Sequence, residues 1–94
     1  MSVGYDSTLV ECFGFAVRQL REAHGWSQEQ LAERSDLNRS YVGEIERAKV
    51  IASIVTARKL AHALEVNVAA LFVHSEQIER QRTVQRINLA AIAS

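Results

Sequence analysis

Apolar residues recur along this chain about every 3.6 positions, and no four-residue stretch alternates in the manner of a half-buried strand. The pattern predicts an all-α fold. Over residues 8–24, Leu9, Phe13, Ala16, Val17 and Leu20 fall on one stripe, and Gly25 supplies a C-terminal stop. Ser27 opens a second helix as a capping box with Gln30, its hydroxyl placed to accept a backbone N–H while the Gln30 amide reaches back, and Leu31 and Ala32 turn inward. Asn38 caps a third helix, residues 39–47, that buries Val42 and Ile45. Ser53 caps a fourth carrying Ile54, Ala57, Leu60, Ala61 and Leu64, and Asn67 a short fifth with Val68, Leu71 and Phe72. The chain to Phe72 therefore reads as a finished five-helix unit. Residues 75–94, SEQIERQRTVQRINLAAIAS, read as an additional C-terminal helix, polar in its first half and apolar in its second. The organisation expected is a domain over 1–74 and an extension over 75–94.

The short interval between the second and third helices carries the strongest signal. Helices joined by so tight a turn cross steeply and need a small residue where they touch, which Ala32 provides. Asp36 is one of the few non-glycine residue types that tolerate positive φ, and Leu37 can plug the angle between the helices. Gln28, Leu31, Ala32, Asp36, Leu37, Val42 and Ile45 together resemble the helix-turn-helix, residues 28–47, of the phage-repressor-like (Cro and XRE-type) DNA-binding family. The resemblance extends to RQLREAHGWSQEQLA, to GEIER and to KLAHALEVNVAALF, in order along the chain. Asp36 and Ala48 stand where the family usually has Gly, and Ala52 where Pro is common.

The resemblance implies that the third helix enters the major groove of double-stranded DNA by its N-terminal end, with Asn38, Arg39, Ser40, Gly43 and Glu44 facing the bases. A guanidinium at Arg39 can bond N7 and O6 of a guanine, and Glu44 can accept from a cytosine amino group. Gln28, at the positive end of the second helix, suits a backbone phosphate, as do Tyr41 and Lys49. The alternatives are a solvated face for Arg39 and Ser40, and for Glu44 an ion-pair partner within its helix. In related repressors an Arg on the first helix pairs with a Glu of the EIER segment, so the resemblance pairs Arg21 with Glu46 as a structural contact.

Composition narrows the picture. Ninety-four residues, 48% hydrophobic and only 6% aromatic, bound one small domain with an aliphatic core. Net charge is zero, and residues 26–49 hold four basic side chains against five acidic ones. Non-specific DNA affinity should be weak, so binding must rest on specific contacts and on dimerisation at a few operator sites. Cys12 is alone, which excludes an internal disulfide and fits a reducing compartment. The first residues lack a basic segment and a long apolar run, so the expected protein is soluble, unexported and cytoplasmic, with no membrane partner. His24, His62 and His74 are too isolated for a metal set, no constellation supports catalysis, and no cofactor or small-molecule effector is implied.

Two functions of different class follow. One is a sequence-specific transcriptional regulator, a repressor or autoregulator of the type found beside restriction-modification genes, which RSYVGEIER also resembles. The other is an antitoxin-like module whose C-terminal segment engages another protein. A single recognition helix reads few bases, so the regulator reading calls for a homodimer on a pseudo-palindromic operator with half-sites about 34 Å apart. Val84, Ile87 and Ala91, with Ile92 beside them, form an apolar stripe left over from the finished core, and Val68, Leu71 and Phe72 can extend the interface. The competing expectation is that the tail folds back onto the first helix, with Phe15 as the contact.

Overall fold

The computed structural model describes residues 7–93. Residues 1–6, the start of the N-terminal stretch expected to lack a leader, and Ser94, the last residue of the expected extension, lie outside them. Five helices follow in order: α1 (Ser7–Ala23), α2 (Gln28–Ser35), α3 (Arg39–Glu46), α4 (Ile54–Ala63) and α5 (Val68–Ala93).

Each helix after the first begins on a side chain that caps it. The Gln30 N–H donates to Ser27 Oγ at 3.1 Å while the Ser27 N–H donates to Gln30 Oε1 at 2.8 Å, closing the capping box. Asn38 Oδ1 accepts from the Tyr41 N–H (2.8 Å), Ser53 Oγ from the Thr56 N–H (3.0 Å), and Asn67 Oδ1 from the Ala70 N–H (2.7 Å). The first four helices end alike. A residue at positive φ (Gly25, Asp36, Ala48 or Glu65) turns the chain, and its successor's N–H reaches back five residues, as in Leu37 N–H to Ala32 O at 2.9 Å and Lys49 N–H to Glu44 O at 2.8 Å. Three of these successors, Trp26, Leu37 and Val66, pack against the core. A left-handed Ala48 thus makes the same turn as the family's glycine, at the steric cost of its Cβ.

The core is aliphatic and draws on all five helices, with Val17, Leu31, Val42, Ile45, Leu60, Leu64 and Leu71 at its centre. At Gly14 the backbones of α1 and α3 meet so closely that a Cβ would run into the Ile45 carbonyl oxygen and stand 3.0 Å from that of Glu46. Two residues assigned to core stripes lie outside the core. Ile54 is 84% exposed and Leu9 is 37% exposed, because each sits in the first turn of its helix, where the stripe runs beyond the packed neighbours.

The short fifth helix and the separate extension are one continuous helix of 26 residues. Ser75, the expected start of the extension, is fully buried and its hydroxyl donates back to Leu71 O at 2.9 Å, so it continues the helix as a satisfied interior residue. Burial continues to Ile78, so the core does not close at Phe72. Beyond it α5 runs along α1: His74 meets Gln19 at 2.9 Å, and the Arg82 guanidinium lies over the Phe15 ring at 5.3 Å. From Thr83 to Ala93 every residue is exposed, and α5 stands clear of the body. The expected fold-back onto the first helix is thus met by the part of α5 up to Arg82, whose guanidinium lies over Phe15, and not by the apolar stripe, since Val84, Ile87 and Ile92 are exposed beyond it. None of the described helices is long and apolar enough to cross a membrane.

Candidate DNA-reading face

The α2–α3 unit is held at its crossing from both sides. On the inner side Leu31, Ala32, Val42 and Ile45 are buried together, and Leu37 packs at the turn behind the left-handed Asp36. At the back, Arg21 from α1 forms a two-pronged pair with Glu46, Nε to Oε2 at 2.7 Å and Nη2 to Oε1 at 3.0 Å, while its Nη1 donates to Trp26 O at 2.8 Å. The amide of Gln28 donates to the same Glu46 Oε1 at 3.0 Å, which fixes the start of α2 over the end of α3. The two partners are 12% and 3% exposed at their side chains, so this network is nearly dry. The hydrogen bonding of the guanidinium to Glu46 is the main reason that the Arg21 pKa is pushed still higher, burial opposing it.

On the outer side Gln28, Arg39, Ser40, Gly43, Glu44 and Arg47 line one shallow polar depression. Arg39 and Ser40 are exposed, Glu44 is half-buried, and Asn38 is exposed with its oxygen committed to the cap. Gly43 is buried and projects nothing toward a ligand. It is the floor on which Arg47 and Gln28 lie, since a Cβ there would stand 3.0 Å from Arg47 Nη1 and 3.3 Å from Gln28 Oε1. Arg47 is the residue that sequence reasoning passed over. Its place one helical turn after Gly43 and two after Arg39 was the available signal.

The expected phosphate contacts divide. Lys49 is exposed just beyond the end of α3. Gln28 is half-buried and its amide is already engaged by Glu46. Tyr41 is half-buried and faces α4, with its hydroxyl 3.4 Å from Thr56 Oγ1. The dimer residues divide as well. Leu71 is fully buried in the monomer and cannot form an interface, because α5 turns it straight into the α1–α4 core. Val68 is half-buried against the same core, and Phe72 is 39% exposed with its ring 5.5 Å from that of Phe13.

Charge on this face differs from the charge of the segment. Glu46 is neutralised by Arg21, and Glu33 lies with Gln30 and Arg34 in a separate depression. The depression over α3 is lined by two guanidinium groups, Arg39 and Arg47, and one carboxylate, Glu44. Neither arginine forms an ion pair with any described residue, so both guanidinium groups are available to an anionic or carbonyl-bearing ligand.

Comparison with known proteins places the fold that carries this face in a family. The helix-turn-helix family pattern matches residues 17–71. An immunity repressor protein of Bacillus phage phi105 is 32% identical over 69 residues, covering 73% of this chain and 48% of that protein, so the chain spans about half the length of this relative. The restriction-modification controller protein C.AhdI of Aeromonas hydrophila is 47% identical with a TM-score of 0.65, over 70% of this chain and 98% of that one. The clp gene regulator ClgR of Corynebacterium glutamicum superposes with a TM-score of 0.80 at 28% identity, over 89% of this chain and 88% of that one. With a capped α2, a left-handed turn, an α3 locked by Arg21 and Glu46, and these relatives, the chain belongs to the XRE-type helix-turn-helix family.

Proposed function

We propose that the protein is a sequence-specific DNA-binding transcriptional regulator, a repressor or autoregulator, that binds a pseudo-palindromic operator as a homodimer in the cytoplasm. The observation that carries this reading is the α3 depression, which gathers Arg39, Ser40, Glu44, Gln28 and Arg47 on one exposed face of a rigid two-helix unit. With α3 in the major groove, Arg39 bonds a guanine bidentately, and Ser40 and Asn38 reach neighbouring base edges or phosphates. Glu44 accepts from a cytosine amino group and, as the one carboxylate on this face, repels sequences that offer only acceptors there. Arg47 and Lys49, following along α3 and its end, take backbone phosphates, and the free N–H groups at the start of α2 take another. With so few cations, non-specific affinity is weak, and selectivity rests on the base contacts and on doubling them across a twofold axis. The likeness to an immunity repressor and to a restriction-modification controller protein supports the regulator reading.

The apolar side chains exposed around the start of α4, Ile51, Ile54 and Val55, join Phe72 as the dimer surface of the body, in place of Leu71. The DNA-reading body then extends through Arg82 and the projecting part of α5 is the extension. Selection of bound sequences from random DNA should return a two-armed motif. Arg39→Ala should lose about 1–3 kcal/mol on the selected site while keeping its fold and its affinity for random DNA. A folded Arg39→Ala variant that discriminates as well as the parent would overturn the assignment.

A further inference from the structure

We propose that Gln28 is a positioning residue for DNA binding: with its amide nitrogen fixed to Glu46, it turns its amide oxygen toward α3 and holds the Arg47 guanidinium over Gly43, ready for a backbone phosphate. The proposal rests on the DNA-binding reading above and says how one phosphate contact is prepared before the DNA arrives.

The way the Gln28 amide faces follows from what stands beside it. Glu46 takes both prongs of Arg21, and as a carboxylate it can only accept hydrogen bonds. Gln28 must therefore turn Nε2 toward Glu46 Oε1, 3.0 Å away, which leaves the oxygen at the other end of the amide facing α3. That oxygen lies against Gly43. A Cβ at Gly43 would stand 3.3 Å from Gln28 Oε1 and 3.0 Å from Arg47 Nη1, so the amide oxygen and the guanidinium converge on one point of the α3 backbone. A phosphate oxygen gains nothing from an amide oxygen, since both only accept. A guanidinium does, and Arg47 is exposed and forms no ion pair with any described residue.

Gln28 and Arg47 also form the ridge shared by two polar depressions, the one over α3 and a second in which Arg18, Arg21 and Glu46 lie behind them. Arg21 neutralises Glu46, so the charge on the ridge itself is that of Arg47. The guanidinium carries its N–H donors in a planar fork: one edge can take the Gln28 oxygen while the other grips two oxygens of a phosphate. A long exposed side chain loses much rotamer freedom when it grips a ligand, and one already held in place loses less. Arg21, Glu46 and Gln28 thereby tie a buried ion pair of the scaffold to a cation on the DNA-reading face.

Duplexes selected from random DNA, titrated with the full chain over a series of salt concentrations, test this. Gln28→Met keeps the length of the side chain and removes both polar ends of the amide. It should bind the selected duplex about tenfold more weakly. The slope of log K against log salt should fall by about one, as for Arg47→Ala, because a cation–phosphate contact is what is lost. In a chain that already carries Arg47→Ala, Gln28→Met should cost nothing further. Gly43→Ala is the second variant. Alanine is the better helix former, so the fold is kept, but its methyl meets Arg47 Nη1 and Gln28 Oε1 and should weaken binding about threefold only while Arg47 is present. If Gln28→Met weakens binding equally with and without Arg47, at an unchanged salt slope, Gln28 gives an N–H to the phosphate itself and the positioning role is wrong. If it changes the base preferred at one position of the motif, the oxygen reads a base and the role is wrong again. Parental affinity in the Gln28→Met chain, or in the Gly43→Ala chain should Gln28→Met fail to fold, also overturns it. A parent chain that binds no selected sequence more tightly than random DNA defeats the DNA-binding reading itself, a result seen before any variant is made.

Discussion

Truncating Arg21 to alanine removes three hydrogen bonds at once: two to Glu46 and one to the carbonyl of Trp26. The Glu46 side chain, 3% exposed, then keeps only the Gln28 amide as a partner, at 3.0 Å. Stranding one member of a buried ion pair costs about 3–5 kcal/mol. The Arg21 side chain is 12% exposed, so water can enter beside α1 and soften the penalty, which places the expected loss near the lower bound, about 3 kcal/mol. For a domain of this size that corresponds to a fall in Tm of about 12–24 °C. Urea unfolding followed by far-UV circular dichroism measures it. Arg21→Lys should recover little, since an ammonium cannot serve both carboxylate oxygens and the carbonyl together. Arg21→Met with Glu46→Leu should recover most of it, because no unpaired charge remains. The guanidinium pKa is raised by Glu46, so its contribution is complete below the unfolded value and is lost only as pH rises through the still higher folded value. The effect of Arg21→Ala should therefore not shrink on the alkaline side as far as pH 10. A loss below about 1 kcal/mol, the range of exposed pairs, would refute the claim that the pair is desolvated.

Gly14→Ala should destabilise by about 3 kcal/mol, because the new methyl meets the Ile45 and Glu46 carbonyl groups and α1 must move off α3. The same urea titration reads it, with no change in slope. Ala48→Gly should stabilise by about 0.5–1 kcal/mol, since relief of the left-handed Cβ exceeds the added freedom of the unfolded chain. Its signature is a higher urea midpoint at constant slope. Burial, foremost, pushes the Cys12 thiol pKa up. A thiol reagent should then label the native chain only at the rate of unfolding, and stability should fall as pH rises through the ordinary thiol range, where the unfolded chain loses a proton the folded one retains.

What the amino-acid order determined by itself is local. Ser27, Asn38, Ser53 and Asn67 each satisfy a backbone N–H three residues ahead, a bond that needs no distant partner, so four helix starts were legible without tertiary information. The same holds for the left-handed Asp36, whose tolerance of positive φ belongs to its own side chain and backbone. The contact of Arg21 with Glu46 spans 25 positions and was accessible only through likeness to related repressors. Tertiary packing decided the rest. Without Pro or Gly in residues 68–94, nothing local stops or compels a break near Phe72, and α5 stays whole because Leu71, Ser75 and Ile78 are buried in succession. Helical periodicity gives the direction in which a side chain points but not whether a neighbour waits there. For that reason Ile54, on the stripe but at the helix tip, remained in water, while Leu71 closed the core. Gly14 and Gly43, unremarkable within their helices, acquire their roles only when another backbone or the Gln28 and Arg47 side chains arrive against them.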